Sequence, residues 1–521
     1  MKRFLIVVIL IAFLAGCSGA ADPSPAPPND PAPSTLRIAA GRSFWQGSAT
    51  NIYLHSSTNV WEPLVLFDDH MEPRMKLASA ITPSADGLTW TITLREGIAF
   101  HDGSAFTAEV AAFNLERLYR YNPVTRAFDP EFARSGEFGD ISEISVIFDY
   151  AFTVTHREPI PDFPARLSLE NSAMFALASF DEDRVITHPY GTGPFLYEAY
   201  DAQNSILTLR QNRAYHRGVP AIDTVYFFNI PDAAMRLAAL QSGEIDVIAD
   251  VGGVLPQQAA EILAASELVL RERQVSTVHY LGINSNEGSL FHDTRLRNAL
   301  GLSLDRDAIV EVLLHGYGRP AISVVSDLST GWVIDADYRF DPAAAQALVT
   351  EAVGEERPPA VILINSALTG RWPYRDIAVL LQAQLVAIGI DATIETVDGA
   401  TWTERMRNGD YDITLHPFTV SSGEPIYFFI RNIASTGANN LLRGYGINSP
   451  ELDALIARAA VEVDLSARRA YYAELQRLVR AADYIIPIWY DVTLYAMHER
   501  VRNFQLDVLF RPDLFAVELW T

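Results

Sequence analysis

Pro83-Ser84-Ala85-Asp86-Gly87-Leu88-Thr89-Trp90-Thr91-Ile92-Thr93-Leu94-Arg95-Glu96-Gly97-Ile98-Ala99-Phe100-His101-Asp102-Gly103 carries a strand and its bounding turns in one run of sequence. From Leu88 to Leu94, apolar residues alternate with threonine at a period of two, the pattern of a half-buried strand. Asp86-Gly87 supplies a hairpin-type turn just before it, and Gly97 and Gly103 fit the turns that follow. Thr107 then caps a predicted helix over 108–119, with Glu109 in the first turn, where the helix dipole favours an acid.

Working outward, short β-like runs alternate with helical stretches, so the fold class is α/β with mixed sheets covered by helices. One local unit occurs twice. A helix over 233–241 is followed by Gly243 and a strand from Glu244 to Ile248. A helix over 402–407 is followed by Gly409 and a strand from Asp410 to Leu415. In each case the glycine suits the left-handed position after a helix. One unit in each half suggests two lobes. A buried strand is expected over 483–490, around Ile485-Ile486-Pro487-Ile488-Trp489-Tyr490, where the tail rejoins a lobe built much earlier. Two lobes joined by more than one crossing strand make a hinged clamshell.

The N-terminus reads as an export signal. Lys2 and Arg3 precede an apolar run from Phe4 to Leu14, of signal-peptide length and too short for a comfortable membrane span. It ends in Leu14-Ala15-Gly16-Cys17, which resembles the bacterial lipobox. Cys17 is the only cysteine in the chain, so no internal disulfide exists and lipidation accounts for that thiol. Residues 1–16 are thus expected to be the signal peptide, and 17–36 the lipidated cysteine with a tether rich in proline and alanine. No other apolar run reaches the length of a span. The formal charge of -24 argues against nucleic acid, whose phosphates need a basic face. The expected location is extracytoplasmic, held to the membrane through a lipid.

Six segments in order resemble the large bacterial extracellular solute-binding family 5, which serves peptide, nickel and opine importers. They are Trp61-Glu62-Pro63-Leu64-Val65, the 83–103 run, Gly191-Thr192-Gly193-Pro194-Phe195, Asn212-Arg213-Ala214-Tyr215-His216, Arg297-Asn298-Ala299-Leu300 with Asp305-Arg306, and Asn448-Ser449-Pro450-Glu451-Leu452-Asp453. His216 stands where the family has tryptophan. The resemblance implies a two-lobed periplasmic-binding-protein clamshell, type II, of the large cluster C kind. It implies a monomer that captures a small ligand, peptide-like, opine-like or a metal chelate, and delivers it to ABC permease subunits, with no cofactor. Lobe I is expected over 37–276 plus 487–521, with an inserted subdomain over about 68–190, and lobe II over 277–486.

Gly252-Gly253-Val254-Leu255-Pro256 resembles a segment of the nickel and opine binders. The nickel binders' aromatic stretch is replaced by Thr419-Val420-Ser421-Ser422-Gly423, and 434–440 lacks their histidine. Whether a metal binds stays open. Glu424 stands near the position at which dipeptide binders place an acid against the ligand amino group; the alternatives are a loop acid or one paired with an arginine such as Arg431 or Arg443. Trp45, Trp402 and Tyr427 are candidate aromatic walls, His416 is expected to end the strand after Asp412, and Arg431 completes the candidate set. The eleven histidines form no His-Glu-x-x-His or His-x-His, and with one cysteine a thiolate zinc site is excluded. No Gly-x-Ser-x-Gly elbow, Walker A or Gly-x-Gly-x-x-Gly occurs, so no enzyme is expected. A secreted lipid-anchored hydrolase, or an adhesin or chaperone-like protein on the same fold, are the competing readings.

Overall fold

The computed structural model describes residues 34–45, 56–122, 125, 127–168, 172–329, 334–419 and 423–520. Cys17, the expected signal segment and most of the expected tether lie outside the described residues.

The strands that organise the molecule are β1 (Thr35–Ala40), β2 (Ala78–Pro83), β3 (Thr89–Leu94), β4 (Ile141–Phe148), β5 (Ala151–His156), β6 (Phe195–Asp201), β7 (Ile206–Gln211), β8 (Thr224–Asn229), β9 (Val247–Ile248), β10 (Leu268–Ile283), β11 (Gly318–Pro320), β12 (Pro359–Asn365), β13 (Asp391–Val397), β14 (Ile413–Thr419) and β15 (Ile485–His498). One sheet of 11 strands runs β6-β7-β8-β1-β9-β15-β10-β14-β12-β13, with β11 on β15. It holds two parallel cores, β8-β1-β9 and β13-β12-β14. The antiparallel strands β10 and β15 lie between them and run through both.

β10 and β15 pair over Leu268–Gln274 opposite Val492–His498, and again over Val278–Gly282 opposite Ile485–Tyr490. Their register shifts between Gln274 and Val278. The expected tail strand is therefore real but longer, beginning at Ile485 and ending at His498. Asp483 lies before it, in the left-handed conformation that ends the preceding helix.

The opening sequence run behaves as its pattern requires. Gly87 turns with φ 70°; Trp90, Ile92 and Leu94 of β3 are buried and the residues between them are not. They pack with Phe152 and Val154 of β5 and with Leu115 and Leu118 of helix α1 (Ala108–Tyr119). The small sheet β2-β3-β5-β4 and α1 thus share their own core. Thr107 does occupy the N-cap, but its side chain makes no capping bond.

Both helix–glycine–strand units form. Helix α2 (Ala233–Gln241) leads through Gly243 to β9, and helix α3 (Gly399–Asn408) through Gly409 to β14. Helix α3 starts three residues before Trp402 because the Asp398 side chain accepts from Ala400 and Thr401 N–H, satisfying donors a helix start leaves open.

Candidate functional site

In open α/β sheets, ligands sit outside the carboxyl ends of the parallel strands. Here the two parallel cores point those ends at each other. Arg42 follows β1, Pro231 follows β8, and Asp250 follows β9. Across the seam, Gly370 and Arg371 follow β12, and Gly423 and Glu424 follow β14.

Arg42 grips Asp250 bidentately, Nε to Oδ2 at 2.8 Å and Nη2 to Oδ1 at 2.9 Å. Arg371 reaches over from the other side, with Nη2 3.9 Å from Asp250 Oδ2. Its Nε and Nη2 also donate to Val251 O at 3.1 and 3.0 Å. Burial pushes the Arg371 guanidinium down to about 10 against the pull of Asp250, so it stays cationic at neutral pH. Arg236, fully buried, returns a contact in the opposite sense, donating to Gly370 O at 3.1 Å.

Beside Arg371 lies a buried aromatic cluster on and around the two crossing strands. The rings of His279 (β10) and Trp489 (β15) stack at 3.8 Å and 4°. His279 Nδ1 is 2.7 Å from the Tyr374 hydroxyl and its Nε2 is 3.5 Å from Asp491 Oδ2. Trp372 Nε1 donates to the same Asp491 oxygen at 3.3 Å. Burial holds the His279 pKa below its usual value despite Asp491, which keeps the ring neutral at physiological pH.

The six residues expected from sequence to line a site do not form one cluster. Trp45 stacks on Tyr197 at 4.9 Å and also meets Tyr200, both on β6. Trp402 is buried in a helix-covered core, its Nε1 donating to Thr414 at 3.0 Å. His416 is mid-strand rather than at the strand end. It pairs with Tyr280 and lies between the Tyr280 and Trp402 rings; burial, then the nearby Arg443 charge, drives its pKa well below the usual value. Glu424 is met by Arg468 at 2.7 Å and by the Tyr472 hydroxyl at 3.0 Å, not by Arg431 or Arg443. Arg443 instead reaches the Tyr280 and Tyr445 hydroxyls. Arg431 leans on Tyr427 and pairs with Glu137 at 3.0 Å, on the helical turn before β4. A cavity of about 300 Å³ is lined from both sides of the seam by Met71, Pro161, Asp162, Gly423, Glu424 and Arg469.

The sequence motifs meet elsewhere, at Glu62. Its Oε1 accepts from Tyr215 (2.7 Å) and pairs with Lys76 (3.0 Å); its Oε2 faces His216 (3.0 Å) and accepts from Thr192 (3.1 Å). Gly191 and Gly193 press on Val60 O and Asn59 O, each 2.1 Å from where a Cβ would lie, and His101 Nε2 is 2.9 Å from Gly193 O. Four of the six segments are thus one structural knot. Arg42, Asp250, Arg371, His279 and Asp491 were not anticipated. The available signal was the position of Asp250, two residues after the predicted strand from Glu244 to Ile248. Among the described residues no group of three or more histidine, cysteine or acidic side chains is placed to hold a metal ion, and no helix is long and apolar enough to cross a membrane.

Opposed strand ends across a seam bridged by two continuous strands define a two-lobed solute-binding protein. Over residues 72–440 the chain matches the family described as bacterial extracellular solute-binding proteins, family 5 Middle, and it belongs to that family. It is 25% identical over 464 residues to di/tripeptide-binding protein 2 of Pseudomonas aeruginosa, covering 85% of this chain and 86% of that one. It is 27% identical over 484 residues to the glutathione-binding protein GsiB of Salmonella paratyphi A, covering 90% and 88%. Its fold matches the dipeptide-binding protein of Pseudoalteromonas sp. SM9913, solved with Met-Leu, with a TM-score of 0.80 at 22% identity, over 93% of this chain and 100% of that one. Members of this family are extracytoplasmic binding proteins of ABC importers rather than enzymes.

Proposed function

We propose that this chain is a lipoprotein, anchored through Cys17, that traps a short peptide-like zwitterion between two lobes and delivers it to an ABC permease, acting as a monomer. The observation that carries the reading is the mixed-sign cluster Arg42–Asp250–Arg371 at the facing strand ends. Charges taken out of water are costly unless they are paired. Arg42 already holds both Asp250 oxygens, so with Arg371 the cluster carries one cation in excess, and a ligand carboxylate can meet Arg371. The relatives named for di/tripeptides and glutathione favour this class over opines and metal chelates.

In this reading lobe I comprises 37–276 and the chain from 487, with the subdomain over about 68–190. Lobe II lies between, and the lobes hinge where β10 and β15 change register, between Gln274 and Val278. The test is isothermal titration of the full chain with a panel of di- and tripeptides and glutathione. At least one should bind, and Arg371→Ala should weaken it about 30-fold or more, the usual cost of removing a buried charge partner. A panel that gives no heat with the wild type, or an unchanged affinity in Arg371→Ala, refutes the assignment.

A further inference from the structure

Where the chain leaves β14 it meets the opposite lobe at Gly423. A Cβ built on Gly423 would stand 2.2 Å from the carbonyl oxygen of Met71 and 3.3 Å from its carbonyl carbon. Real Cβ atoms do not approach a backbone oxygen that closely, and backbone gives way less readily than the end of a flexible side chain. All three of the nearest atoms belong to Met71.

Gly423 therefore differs from the other glycines on the seam. Gly252 also abuts the opposite lobe, 2.5 Å from Arg371 O, but its φ of 66° would strain any other residue. Gly370 is looser, 2.9 Å from Pro231 O, and sits beside Arg371 and Trp372 near the crossing strands. Met71 is a firm stop. Its N–H bonds to Asp68 O at 3.1 Å, and its buried side chain packs with Phe67, Ala165, Val508 and Leu509 of its own lobe and with Leu328 of the other. The Arg431–Glu137 ion pair crosses the same seam.

We infer that Gly423 is the seating point of lobe closure: the bare backbone after β14 rests on the Met71 carbonyl, and any side chain at 423 holds the lobes apart. The inference rests on the closing motion proposed above. It predicts a protein that folds normally but does not shut.

The test uses the full chain with Cys17→Ser, so that no other thiol is present, and with Arg431→Cys and Glu137→Cys across the seam. A short bismaleimide should link these two thiols efficiently when residue 423 is glycine. In Gly423→Ala and Gly423→Val the linked fraction should fall about tenfold or more, the population shift that a steric overlap of this kind produces, with an unchanged melting curve. Linking at the parent rate in both variants overturns the role of Gly423 and leaves closure standing. No linking in the parent refutes closure itself, and the seating point with it. If Gly423→Val fails to fold, small-angle scattering of Gly423→Ala alone decides: a radius of gyration equal to wild type overturns the inference, and a larger one supports it.

Discussion

Glu62 offers the sharpest test of what holds lobe I together. Burial raises its pKa, but the His216 hydrogen bond, the Lys76 and His216 charges and the Tyr215 hydroxyl outweigh burial and hold it at about 2 against an ordinary 4.5. Holding the carboxyl at about 2 against 4.5 stabilises its charged form by roughly 3 kcal/mol relative to the unfolded chain. The sign follows from the direction of the shift. Because the folded pKa is the lower one, the stabilisation is fully present above pH 4.5 and is lost as pH falls towards 2. Glu62→Gln keeps the shape and one acceptor oxygen but removes the charge, and its amide must face either Lys76 or His216.

The variant should therefore be less stable than wild type by about 3 kcal/mol at neutral pH, with the gap narrowing to about half near pH 3. Urea unfolding followed by tryptophan emission reads this loss of global stability. Equal stability at neutral pH would mean that the four partners contribute nothing net. A gap independent of pH would mean that the loss is one of packing and not of charge.

Two further outcomes are expected. Cys17→Ala should release the protein from membranes into the aqueous phase of a detergent partition; unchanged membrane association would refute lipidation at that residue. Glu424→Gln should change affinity for a bound peptide less than about threefold, because Arg468 and Tyr472 already occupy its carboxylate and a ligand gains little from it; a larger loss by titration would restore Glu424 as the amino-group contact.

Local pattern revealed the alternating strand at Leu88–Leu94 and both helix–glycine–strand units. It did not reveal the long strands. The second half of β10 and nearly all of β15 are buried on both faces, and a strand covered on both faces loses the period-two alternation that marks a half-exposed one. Only the most apolar part of β15 stood out, so its end was placed eight residues early. Trp402 and His416 stack together beside Tyr280 in a core, a placement that sequence does not disclose, because composition alone does not distinguish a ring facing a cleft from one facing a core.

The site was hidden for a different reason. Arg42 and Asp250 are 208 residues apart, and Arg371 contacts Val251 from 120 residues further on. Each alone is an ordinary charged residue after a strand. They become a site because two parallel cores, built independently, are threaded on the same two antiparallel strands and so present their carboxyl ends to each other. The family motifs point elsewhere for the same reason. Glu62, Thr192, Tyr215 and His216 secure one lobe and make none of the described contacts across the seam. In the proposed reading, ligand selection falls to the less patterned loops after β1, β9, β12 and β14. Exchanging those loops between two family members should move specificity, whereas exchanging the Glu62 knot should move only stability.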